Sequence, residues 1–209
     1  MRRSIGRILF TGAAAALAIG FGASSVLAAT LTVKVTGGGS FTASSSNTKL
    51  TDGAISLTCT SSKAGGSVPT KTYTSATSPV TVGSNSSLSF TGCTSITGAV
   101  TIKVNKLPYK VKVDSKTNSK GQTDGMITGI NNTVSTTGCS FTVTGSAPGF
   151  YTNSNHTLSL TSTLPTKPLN SAKLTVSNVN GCAGLVNNGD HPKYTATYTV
   201  SKAIKITAS

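Results

Sequence analysis

From Leu31 onward, stretch after stretch alternates apolar with polar side chains, and none sustains the three-to-four-residue spacing of a helix face. In 31–36, Leu31, Val33 and Val35 alternate with Thr32, Lys34 and Thr36. Because side chains alternate across a strand, this pattern puts one apolar face against a core and one polar face in water. Similar signals arrive every 8 to 12 residues or so, the spacing of an all-β sandwich or barrel. Strands are expected around Phe41, Leu50, Ile55–Thr60, Leu88–Phe90, Ala99–Val104, Tyr109–Val113, Met126–Val134, Ser140–Thr144, Thr157–Thr163, Lys173–Val179, Tyr194–Val200 and Ile204–Ile206. Asp52-Gly53 reads as a hairpin turn, Ser61 to Ser78 as a long exposed loop, and Asn118 to Asp124 as a polar hairpin tip. The expected architecture is a single antiparallel β-sandwich over 29–209, with two related halves meeting near Asp114 to Asp124 as a variant.

Residues 1–28 read as a cleavable signal peptide. Arg2, Arg3 and Arg7 precede an uncharged run from Ile8 to Ala23, and Val26 and Ala28 sit before a cut at Ala28/Ala29. The run is too short for a bilayer span, so no membrane segment is expected after processing, and a secreted or cell-surface location follows. Four Cys in an exported chain imply two disulfides. An internal echo selects the pairing: Leu88 to Gly92-Cys93 resembles Leu174 to Gly181-Cys182, and each Gly-Cys follows an earlier Cys in a strand. Cys59 is thus expected to pair with Cys93, and Cys139 with Cys182. No Cys-x-x-Cys spacing suggests a metal site.

The charge is one-sided. After residue 28 there are 15 Lys, four Asp, no Arg and no Glu, a net of +11. Lys103, Lys106, Lys110, Lys112, Lys116 and Lys120 crowd one stretch, and alternation in 109–113 turns Lys110 and Lys112 outward while Tyr109, Val111 and Val113 face the core. Such a stripe suits an anionic polymer of the cell envelope; it also suits the simpler role of a solvated, edge-protecting face. Nucleic acid is a poor fit, since Arg is absent and Tyr109 alone could stack.

Catalytic signals are weak. Asp190-His191 are adjacent, and consecutive residues of an extended chain point apart; no Gly-x-Ser-x-Gly elbow occurs. Three of the four Asp sit beside Gly or in a hairpin tip, and the segment holding Asp114, Asn118 and Asp124 carries Lys116 and Lys120, the wrong charge for calcium. No enzyme activity, cofactor or metal is expected. The sequons at Asn85, Asn131 and Asn155 suggest surface exposure.

Several segments resemble a family of small secreted actinobacterial proteins of unknown function: Leu57-Thr58-Cys59-Thr60-Ser61-Ser62, Leu88-Ser89-Phe90-Thr91-Gly92-Cys93, Leu107-Pro108-Tyr109, and Val179 to Leu185 with Gly189-Asp190. The resemblance implies an exported bacterial origin and brings no activity, ligand or catalytic residue. Related sequences tend to carry Trp where Tyr109 stands and to be less basic. The functional expectation is a non-catalytic secreted or cell-surface β-domain with a binding or structural role. A cationic antimicrobial effector and a secreted hydrolase using Asp190 and His191 are the alternatives.

Overall fold

A computed structural model describes residues 30–53, 55–165 and 172–209; the leader read over 1–28 lies outside them. The described strands are β1 (Leu31–Thr36), β2 (Gly39–Ser45), β3 (Thr48–Asp52), β4 (Ile55–Val68), β5 (Lys71–Ser75), β6 (Val80–Ser95) and β7 (Gly98–Val104). They continue with β8 (Tyr109–Val113), β9 (Gln122–Thr136), β10 (Cys139–Thr152), β11 (Thr157–Leu160), β12 (Leu174–Asn180), β13 (Lys193–Val200) and β14 (Lys205–Ala208). The protein is all-β and antiparallel. Among the described residues no helix is long and apolar enough to cross a membrane.

The pairings of the large sheet return to their starting point. β9 pairs with β10, β10 with β11, β11 with β13, and β13 with β2 and β3. Both β2 and β3 pair with β4, β4 with β6, β6 with β7 and β8, and these two with β9. The two layers of the sandwich are therefore joined along both edges by hydrogen-bonded strands, and the sheet is a closed, barrel-like ring. β12 extends the β10 edge, and its other side is covered by 189–190, which bonds to Val176 in both directions.

Closure follows from the alternation. Val33, Val35, Val82 and Val176 are essentially inaccessible, and of the large apolar side chains described only Ile96 and Leu185 are exposed. Ser, Thr and Lys make the outer face. The small sheet β14-β1-β5 caps one end, packing Val33, Val35 and Ile206 on Val68, Val80, Val82 and Tyr151. β13 and β14 pair with β1, β2 and β3, so the first and last described strands are woven into one unit.

Both disulfides form as the internal echo indicates, Cys59 with Cys93 and Cys139 with Cys182. The first joins directly paired residues of β4 and β6; the second ties the start of β10 to the segment after β12. The glycine before each second cysteine has a structural reason. Gly92 and Gly181 have φ of 61° and 84°, and a Cβ would lie 2.2 Å from Thr60 Oγ1 and 2.1 Å from the Gly138 carbonyl oxygen respectively.

Two expectations are corrected. Ser61–Ser78 is not a loop: β4 continues to Val68 and β5 follows. Its small residues allow this, since at Gly66 a Cβ would sit 2.1 Å from the Ser84 carbonyl oxygen of β6. The hairpin tip is shorter than read. Asn118 closes it by accepting from the backbone N–H of Lys120 and Gln122, while Asp124 lies within β9, fully buried, and Asp114 is buried beside it.

Candidate functional site

Eight strand positions circle the interior: β9, β10, β11, β13, β2 with β3, β4, β6, and β7 with β8. A ring of this size is just wide enough for side chains to fill, or for one small ligand where they are short. Ala43, Ala64 and Ala147 occupy inward positions among Phe41, Leu50, Phe90, Ile130, Leu158 and Tyr194, leaving a hollow of about 150 Å³. Phe41, Leu50, Phe90 and Leu158 point inward yet are only half-buried, because part of their surface faces this space. The hollow runs from Ile204 and from Ile206 of the capping sheet to Leu57 and Leu174 near the disulfides, and no charged side chain lines it. A second chamber of about 120 Å³ shares Leu50, Leu57 and Val134 with it. That chamber opens at the disulfide-bearing end, where Thr97, Gly138 and Leu185 are exposed.

The polar atoms of the interior are mostly paired with one another. Tyr198 Oη lies 2.7 Å from Ser62 Oγ and 2.8 Å from Tyr194 Oη. Tyr109 donates to Asn132 Oδ1 at 2.5 Å, and Tyr151 to the Ile204 carbonyl at 2.8 Å. Burial pushes all four phenols above their ordinary range, Tyr151 to about 12 and Tyr194 well above 10. They stay neutral at physiological pH. Asn85 differs: it is buried, it lines the hollow, and its Oδ1 has no hydrogen-bond partner among the described residues. The surface exposure read from its sequon is thereby corrected; an inward position of β6 holds it, paired with Gly66 and Tyr109.

The lysines named from the sequence lie mostly on the outer wall made by β7, β8 and the β8–β9 hairpin. Lys103 pairs with Thr133 of β9, Lys110 with Thr128 and Lys112 with Met126. Lys103, Lys106, Lys110, Lys116 and Lys120 are exposed and Lys112 half-buried, while Tyr109 and Val113 are buried behind them. Thr128 and Thr133 are five positions apart on β9, which separates Lys103 from Lys110 by roughly 15 Å along the wall. That exceeds the Debye length of about 8 Å at physiological salt, so Lys103 is screened from Lys110, while Lys110 and Lys112, two positions apart on β8, are about 7 Å from one another and act together.

Asp190 and His191 point apart. Asp190 Oδ2 accepts from the Asn187 N–H at 2.7 Å, while His191 Nδ1 lies 3.0 Å from the Leu174 carbonyl oxygen and Nε2 3.2 Å from Lys173 Nζ. Asp190 meets Asp52 instead: desolvation, then the charge and hydrogen bond of Asp190, raise the Asp52 carboxyl above the usual range, and His191 partly opposes this. Asp114 accepts from Ser78 Oγ. Among the described residues no group of three His, Cys, Asp or Glu is placed to hold a metal ion.

Sequence reasoning followed the outward lysines and missed the interior. The usable signals were Ala43, Ala64 and Ala147 at inward phases, Tyr194 and Tyr198 on one face of a strand, and Asn85 at an inward phase of β6. Comparison with protein families, curated proteins and solved structures finds no match.

Proposed function

We propose that this chain is an exported, non-catalytic binding domain that takes an apolar ligand into the interior of its ring. The observation that carries this reading is the uncharged hollow of about 150 Å³. Native interiors are close-packed, and space of this size left unfilled by side chains costs on the order of 4 kcal/mol at the usual cavity coefficient. A guest that restores those contacts offsets the cost. Cavities of comparable volume lined by Leu, Ile and Phe accept a benzene-sized molecule. Two disulfides suit an oxidising compartment, which supports the leader read in 1–28.

Titration of the mature chain with neutral N-phenyl-1-naphthylamine tests it. One saturable site with blue-shifted emission is expected, insensitive to salt and lost on unfolding; a linear, non-saturating response would reject the interior as a site.

A second reading rests on the outer wall. Lys103, Lys110 and Lys112 are strung along one outer wall of the ring beside β9, which suits non-specific adhesion to an anionic envelope polymer and would hold the ring near such a surface. Retention on purified cell wall should then fall several-fold between low and high salt, and fall likewise at low salt on changing the three lysines to alanine. Equal retention in both salts would exclude it.

A further inference from the structure

We propose that the interior selects a neutral, slender, chain-like molecule bearing one hydroxyl, bound head-in with the hydroxyl donating to Asn85 Oδ1; this rests on the apolar-ligand reading above. Three features of the hollow narrow the ligand to this class. Its lining lacks Lys, Arg and His, and its tyrosines are held neutral, so a carboxylate or phosphate would enter without a countercharge and lose its hydration. The lining of the hollow reaches from the capping sheet to the disulfide end of the ring, which accommodates an extended chain. Asn85 Oδ1 is the buried acceptor in this wall with no partner of its own among the described residues.

Position on the strand sets the orientation. Asn85 lies on β6 between Val82, packed under the capping sheet, and Ser95, which lines the second chamber. A hydroxyl at Asn85 therefore sits deep, with the hydrocarbon running toward the opening. The other hydroxyls lining the hollow are engaged: Tyr198 with Ser62 and Tyr194, Thr48 with Tyr194, Tyr109 with Asn132, and Tyr151 with the Ile204 carbonyl. A ligand that brings an O–H satisfies the acceptor that the described residues leave over in the hollow. A ligand that brings only an ether or alkyl end keeps it buried and unpaired, which lowers affinity by roughly tenfold or more.

The test is displacement of N-phenyl-1-naphthylamine from the mature protein by decan-1-ol, its methyl ether 1-methoxydecane, and decanoate at pH 8. Decan-1-ol should displace the dye at least tenfold more effectively than the ether, and decanoate least of all. In an Asn85→Leu variant, with displacement measured against that variant's own dye affinity, the alcohol and ether should become equivalent; Asn85→Ala gives the same readout should the leucine fail to fold. Equal displacement by alcohol and ether in the native protein, preferential binding of decanoate, or a preference that survives loss of Asn85 would overturn the inference. Failure of the dye itself to bind would instead remove the apolar-ligand reading on which it rests.

Discussion

Replacing all four cysteines with alanine is expected to leave the chain unfolded, or nearly so, at room temperature. The bridges span 34 and 43 residues. Chain-entropy estimates for loops of that length give about 4 kcal/mol each. Together this approaches the 5 to 15 kcal/mol or so that ordinarily separates folded from unfolded domains. Taken singly, the two bridges should differ in kind. Cys59–Cys93 joins paired residues in the ring wall, so its loss should lower stability by about 4 kcal/mol while folded molecules keep the hollow. Cys139–Cys182 tethers the segment beside the second chamber, so its loss should also loosen that end. Urea unfolding followed by tyrosine fluorescence, the chain lacking Trp, measures the first effect, and amide exchange over 181–192 the second. A loss below about 1 kcal/mol for either pair would show that the ring does not depend on its staples.

Filling the hollow should have the opposite sign on stability and a larger effect on binding. Ala64 faces the interior from β4, opposite Leu88 on β6 and Ala43 on β2. Ala64→Leu adds three carbons to that space. At about 0.8 kcal/mol per buried methylene they should gain roughly 2 kcal/mol in the free protein and displace as much ligand contact. Affinity for the naphthylamine dye should fall more than tenfold while the melting temperature holds or rises. A variant that melts earlier and binds as well as the native chain would show that side chains already fill this space and that the dye sits elsewhere.

How much was legible in the sequence depends on whether a residue's role is local. Strand identity was, because Leu31, Val33 and Val35 declare their face by alternation, as do Tyr109 and Val113. The disulfide pairing was as well, through the repeated Gly-Cys whose glycines take left-handed backbone conformations at both bridges. The stretch Ser61–Val68 was not, because a strand of Ser and Gly has little apolar signal; it pairs for reasons that lie in β2 and β6. The same holds for Asp124, which reads as turn chemistry and becomes a buried strand residue only once β9 is flanked on both sides. Ring closure depends on β13 meeting β2 and β3, contacts between the two ends of the domain that no window of sequence contains. The hollow depends on closure in turn. Alanines that look like weak strand positions become a ligand-sized space only when the opposite wall is in place, and Asn85 reads as a surface sequon until its face is known to be the inner one. The lysines stood out because charge is visible residue by residue, whereas volume left unfilled is a property of the assembled wall.

The most direct measurement is a crystal structure of the mature protein soaked with 1-bromodecane, with data collected at the bromine edge. The account predicts a bromine peak and continuous chain density inside the ring, along the wall formed by Phe41, Leu158 and Tyr194. Bromine found only on the outer surface, with those side chains closed over a filled interior, would contradict it.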